Sequence, residues 1–103
     1  MTDSDLVLDA IYRAIDGLNR ERDPGSRLRK SPDTELFGRD GQLDSLGLVT
    51  LIVAVEEDVA TETGLAITIA SERAMSQSRS PFRTVGSLRD FVTVLVEEAR
   101  RGE

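Results

Sequence analysis

The chain has 103 residues, which is long enough for a single modest core, so residues 1–103 are expected to form one domain. Its formal net charge of −6 argues against nucleic acid as a partner, because phosphate backbones are bound by basic surfaces. The lack of cysteine and histidine excludes disulfides and thiolate zinc sites, and it removes the usual general base of serine hydrolases.

The sequence also bears on the expected cellular location and on the kind of partner. No apolar run approaches the roughly 20 residues that a membrane-spanning helix needs. The first residues lack the basic-then-apolar order of a signal peptide. An acidic surface favours basic protein partners, mainly through the rate of encounter. We therefore expect a monomer in the cytoplasm, without a membrane span and without a metal site.

Apolar residues at helical spacing predict a first amphipathic helix over roughly residues 4–20. Ser4 or Asp3 is expected to cap its N-terminus, since both side chains accept hydrogen bonds from free backbone amides. The residues expected to face the core are Val7, Leu8, Ile11, Ala14, Ile15 and Leu18.

A long first loop is expected over residues 21–43, where two proline-containing turn signals interrupt the chain. A loop of this length in a small domain is often functional. Its basic cluster either holds phosphate groups or, as charge runs usually do, forms a solvated surface. The basic residues are Arg20, Arg22, Arg27, Arg29 and Lys30. Three apolar residues are expected to fix the loop to the core: Leu28, Leu36 and Phe37.

The second helix is predicted to begin at Asp44 and to continue to about Thr63, where Gly64 ends it. It carries two apolar stripes, of which one is expected to face the core and the other to form an exposed docking patch. The alternative is that both stripes are ordinary core. The core stripe is Leu48, Leu51, Ile52, Val55 and Val59, and the second stripe is Leu46, Val49 and Val53.

The remaining residues predict an extended connector, a short helical turn and a last helix. Residues 65–69 alternate like a strand but have no partner strand, and the polar residues around 72–75 suit one weak turn. Phe82 is expected to anchor the next turn, and Thr84 to cap the last helix. The fold class is therefore all-α, a small antiparallel four-helix bundle with three main helices, one short helix and a long first loop. The inward residues expected in the last helix are Val85, Leu88, Val92, Leu95, Val96 and Ala99, with Phe91 at their border.

Ser45 stands where the first loop becomes the second helix, and its surroundings do not suit a nucleophile. A catalytic serine needs a base within hydrogen-bond reach, and the chain offers no histidine and only one lysine, Lys30. The residues around it also depart from the G-x-S-x-G pattern. We therefore predict no catalytic residue in this chain. A serine beside an aspartate at a helix start is, by itself, ordinary capping.

The wider context resembles the acyl carrier protein family. The resemblance is carried by Leu36-Phe37-Gly38, by Gly41-Gln42-Leu43-Asp44-Ser45-Leu46-Gly47-Leu48-Val49, and by Pro81-Phe82-Arg83-Thr84-Val85-Gly86-Ser87-Leu88. It implies a four-helix bundle in which Ser45 is esterified by 4′-phosphopantetheine, transferred from coenzyme A by a phosphopantetheinyl transferase. The thiol of that arm would carry an acyl group as a thioester. Because the chain lacks cysteine, the imported thiol would be its only one.

The resemblance also implies roles for neighbouring residues. Asp44 would belong to the signature that the transferase recognises, besides capping the helix. Leu46, Val49, Val53 and Glu57 would contact acyl-loading and acyl-processing enzymes that have basic docking surfaces. Leu51, Val55 and Val59 match core positions of the family, which can also line the space for an acyl chain.

Departures from the family pattern keep several functions open. Gly47 and Thr50 stand where many members carry acidic residues, so a specialised pathway is expected, such as polyketide, unusual lipid or surface-polymer acylation. An aminoacyl or D-alanyl carrier is an alternative, because that branch shares the Leu-Asp-Ser opening. A second alternative is a degenerate carrier-like bundle that binds a partner and never receives an arm.

Overall fold

The first helix, α1 (Asp3–Asn19), is capped by Thr2, which lies one to two residues before the predicted caps. In the computed structural model, which describes residues 2–39, 41–71 and 80–102, the hydroxyl of Thr2 accepts a hydrogen bond from the amide of Asp5 at 3.1 Å. The Thr2 amide donates in return to the Asp5 carboxylate at 3.4 Å. This reciprocal pair is a capping box, so the prediction of Ser4 or Asp3 as the cap was wrong.

The second helix begins within one residue of its predicted start and ends where predicted, and the last helix begins after its predicted cap. Helix α2 (Ser45–Thr63) starts after the cap Asp44 and stops at Gly64, which has a left-handed φ of 74°. Helix α3 (Val85–Arg100) starts after Thr84, whose hydroxyl accepts from the Ser87 amide at 3.0 Å. Local caps and apolar spacing are therefore sufficient to place these helices.

Helix α1 lies between the other two and makes the main helix–helix contacts of the described residues. The ion pair of Arg100 with Asp3 brings the end of α3 to the start of α1, as in an antiparallel pair. The radius of gyration is 13.0 Å, as expected for a compact domain of this size. Within residues 2–39, 41–71 and 80–102 there are three α-helices and no strand, so the all-α prediction is confirmed.

The side chains that were predicted to face the core are largely buried, with a few exceptions. In α3, Phe91 is buried rather than at the border, whereas Leu95 and Ala99 are only half-buried. Leu8 and Leu18 of α1 are also half-buried and pack against the core. None of the described helices is long and apolar enough to cross a membrane. The short helical turn predicted around residues 72–75 lies outside the described residues.

The long first loop is held in place by side chains as well as by the core. The amide group of Asn19 forms two hydrogen bonds of 2.9 Å with the backbone of Leu28, donating to its carbonyl and accepting from its amide. Leu28 itself is buried, as predicted. A short 3₁₀ turn at Pro24–Ser26 completes this part of the loop. The loop is therefore tied to the end of α1.

The second half of the loop pairs with the entry to α3, which the sequence did not predict. The amide of Leu36 donates to the carbonyl of Arg83 at 2.7 Å, and that of Val85 donates to Thr34 at 3.0 Å. An isolated antiparallel bridge links Glu35 to Thr84 between these bonds. The side chain of Leu36 is fully buried, as predicted, so one side of this paired segment packs against the core.

The connector after α2 forms neither a helix nor a strand over residues 65–71, and it is fixed at one end. The side chain of Ile69 is fully buried. Its amide donates to the Glu56 carboxylate at 2.7 Å, which links the connector to the middle of α2. Leu65 and Ile67 are half-buried and cover the adjoining core.

Candidate functional site

Ser45 is the first residue of α2, and its side chain is exposed. Among the described residues, none exchanges a hydrogen bond with its hydroxyl group. Asp44 precedes it in an extended conformation, and its carboxylate accepts from the amide of Gly47 at 2.8 Å. The predicted capping role of Asp44 is therefore confirmed. The arrangement leaves the serine hydroxyl open to an approaching molecule.

Replacing Asp44 with alanine should lower the free energy of unfolding by about 1 kcal/mol, because the Gly47 amide loses its acceptor. Chemical denaturation followed by circular dichroism would measure the change. Asp44→Asn is the matched control, since asparagine caps helices about as well as aspartate. If both variants unfold at the wild-type denaturant concentration, the cap contributes nothing to stability.

The base that a serine nucleophile would need is not supplied by Lys30. Its ammonium group pairs with Asp16 of α1 at 3.2 Å. The described residues also contain no group of three or more acidic side chains that could hold a metal ion. Among the described residues, no general base is hydrogen-bonded to the Ser45 hydroxyl group.

The second apolar stripe of α2 is on the surface. The exposed fractions of its side chains are 75% for Leu46, 55% for Val49 and 44% for Val53. The interpretation that this stripe is ordinary core is therefore wrong, while the buried stripe of α2 faces α1 as expected. An exposed apolar surface that begins next to Ser45 is typical of a site that contacts another protein. Its role in partner binding stays a prediction.

The acidic residues of α2 are not equally available to a partner. The Glu56 carboxylate accepts from the Ile69 amide, and Asp58 accepts from the guanidinium of Arg13 at 3.0 Å. The hydrogen bond from Arg13 to Asp58 raises the pKa of the arginine. Glu57 is exposed and, within the described part of the chain, has no ion pair. Glu57 is thus the α2 carboxylate nearest the apolar stripe that is open to a basic partner.

The loop that leads to Ser45 is closed tightly by its backbone. The amide of Leu43 donates to the Leu36 carbonyl at 2.8 Å, and that of Gly41 donates to Gly38 at 3.1 Å. A Cβ atom on Gly41 would lie 2.6 Å from the Cα of Phe37, so only glycine fits this turn without a backbone shift. Sequence reasoning treated Gly41 as part of a motif and missed this steric role. Two glycines three residues apart were the available signal.

The basic cluster of the first loop contacts the segment just before Asp44. The guanidinium of Arg22 donates to the Gln42 carbonyl at 3.4 Å and to the Ser26 carbonyl at 2.8 Å. The Arg27 guanidinium donates to the carbonyl of Asn19 at 3.2 Å. Two basic side chains therefore bind backbone carbonyls of the loop and of the end of α1. One of them connects the loop to the residues just before Asp44.

The chain was compared with protein-family models, with curated proteins and with solved structures. No family model, no curated protein and no solved structure matched it.

Proposed function

We propose that the chain is a discrete acyl carrier protein whose Ser45 carries a 4′-phosphopantetheine arm. The observation that supports this best is the pairing of an exposed serine at the start of α2 with an exposed apolar stripe on the same helix. The resemblance of residues 36–49 and 81–88 to carrier proteins points to the same conclusion. The chain is then a substrate of partner enzymes and not an enzyme.

The role of each residue follows from its position. The Ser45 oxygen forms a phosphodiester with the pantetheine phosphate of coenzyme A, and adenosine 3′,5′-bisphosphate leaves. The serine proton would pass to a base of the transferase, since no described residue of this chain is hydrogen-bonded to the Ser45 hydroxyl group. The positive end of α2 favours the resulting anion by only about 0.3–1 kcal/mol, so selection of Ser45 requires enzyme recognition of the surface. When bound, the arm supplies a thiol that carries acyl groups as thioesters.

Recognition is assigned to the surface that begins beside Ser45. Leu46, Val49 and Val53 would pack against apolar residues of the transferase and of acyl-processing enzymes. Glu57 would meet a basic residue at the edge of that contact. The proposal includes a cytoplasmic monomer with the four-helix form of the bundle, the fourth helix being the short one predicted around residues 72–75. It also includes a specialised pathway, because Gly47 and Thr50 leave this surface less acidic than usual.

The direct test is the incubation of the purified protein with coenzyme A, magnesium and a broad-specificity phosphopantetheinyl transferase. Intact mass should rise by one phosphopantetheinyl group, and Ser45→Ala should show no rise. The substitution should change the free energy of unfolding by less than about 0.5 kcal/mol, because the side chain is exposed. A protein that stays unmodified while a control carrier is fully converted contradicts the proposal.

The alternatives make different predictions in the same assay. A degenerate carrier-like bundle keeps the exposed stripe but gains no mass. An aminoacyl or D-alanyl carrier gains the arm and is then loaded by an adenylating enzyme with an amino acid. The mass of the loaded protein separates such a carrier from one that takes an acyl group.

A further inference from the structure

A pocket of about 440 Å³ opens where the loop before α2 meets the entry to α3. Its volume falls within the range of small-molecule sites, which is roughly 300–1,000 Å³. Residues from both segments line it, including Glu35, Phe37, Arg39, Gly41 and Arg83. It is separate from the exposed stripe of α2, and neither the proposed arm nor the docking surface accounts for it.

The two walls of the pocket are joined by backbone hydrogen bonds. The amide of Phe37 donates to the Phe82 carbonyl at 3.2 Å, and the amide of Leu36 donates to Arg83 at 2.7 Å. Gly41 closes one side, where the backbone of Phe37 leaves no space for a side chain. The backbone of both walls is therefore fixed without a ligand, which reduces the entropy lost on binding.

The chemistry of the lining is both cationic and apolar. Arg39 and Arg83 are exposed and, among the described residues, neither forms an ion pair. Their planar guanidinium groups suit a carboxylate, which they can bind with two hydrogen bonds. Phe37 and the glycine backbone add apolar surface, while Glu35 opposes a second negative charge nearby. An exposed ion pair alone contributes little to the binding free energy, so a ligand needs an apolar part as well as a carboxylate.

We propose that this pocket binds a monocarboxylate with a short apolar chain, with its carboxylate between Arg39 and Arg83 and its chain against Phe37. A ligand there would touch Gly41, and it would therefore lie beside the loop that positions Asp44 and Ser45. The site requires no arm on Ser45. It can thus be tested on the unmodified protein.

The test is a titration of the ¹⁵N-labelled, unmodified protein with hexanoate, followed by NMR. Saturable shifts should centre on the amides of Gly38 and Gly41 and on the side-chain Nε atoms of Arg39 and Arg83. Hexanamide, which keeps the chain but lacks the charge, should bind at least about tenfold more weakly. Acetate, which keeps the charge but lacks the chain, should also be weaker.

Matched variants separate the pocket from general charge attraction. Arg39→Gln combined with Arg83→Gln should weaken hexanoate binding at least about tenfold. Arg20→Gln combined with Arg29→Gln removes the same charge from exposed residues outside the pocket and should leave the affinity unchanged. Equal weakening by both pairs, shifts centred on Leu46 and Val49, or no saturable shift would overturn the proposal. Because Ser45→Ala should bind hexanoate normally, failure of the carrier proposal would leave this result intact.

Discussion

Leu36→Ala should lower the free energy of unfolding by about 2–5 kcal/mol, as expected when a fully buried leucine is truncated. The Leu36 side chain is fully buried, so alanine would leave a cavity at the point where the first loop meets α3. The backbone hydrogen bonds of residue 36 with Arg83 and Leu43 do not depend on its side chain. The expected loss therefore comes from packing. For a domain whose total stability is of the order of 5–15 kcal/mol, this is a large fraction.

Urea denaturation would measure this loss, and Leu46→Ala is the matched control. The same atoms are removed there from a side chain that is 75% exposed, so the change should stay within about 0.5 kcal/mol. Similar midpoints for the two variants would mean that residue 36 does not belong to the core. A loss at Leu36 alone would confirm that the loop before Ser45 is anchored by burial.

Val49→Asp should reduce kcat/KM for transfer of the phosphopantetheine arm at least about tenfold, which corresponds to about 1.4 kcal/mol. Val49 lies in the middle of the exposed stripe, so a carboxylate there would have to lose its water within an apolar contact. Far-UV circular dichroism should be unchanged, because the position is 55% exposed and helical in the free protein.

Thr50→Asp is the control for this substitution, because it adds the same charge one residue away, next to Leu46 at the edge of the stripe rather than in its middle. Threonine stands where many carrier proteins have an acidic residue, so transfer should be as fast as in the wild type or faster. If both variants slow transfer equally, added charge alone explains the effect. If Val49→Asp unfolds the protein, Val49 belongs to the core in solution.

The helices could be predicted because their signals are local. Asp44, Gly64 and Thr84 act within one turn of their own position, and the periodicity of apolar residues does the rest. The start of α1 was misplaced because several good capping residues are adjacent, and which hydroxyl reaches the third amide depends on backbone geometry. The sequence shows two apolar stripes on α2, and only the structure shows that the stripe containing Leu46 is the exposed one.

The surroundings of the site could be predicted only in part. The Asp44 cap and the position of Ser45 at the start of α2 were predicted correctly, because the signals for both lie in one short segment. The pocket lined by Arg39 and Arg83 was not found, since its two walls come from distant parts of the sequence. Backbone pairing between a loop and a helix entry leaves no periodic pattern in either segment. Such pairing becomes visible only when the tertiary structure is known.

The pairing of residues 34–37 with residues 82–85 also bears on the order in which the site is completed during synthesis. Asp44, Ser45 and the whole of α2 leave the ribosome well before Arg83 and Val85, which supply the backbone partners of Leu36 and Thr34. Contacts of this sequence separation form late, because the intervening chain must first be closed into a loop. A nascent chain that ends before α3 would therefore display the serine on an incompletely fixed loop. Completion of the last helix supplies the remaining backbone partners of the loop before Ser45.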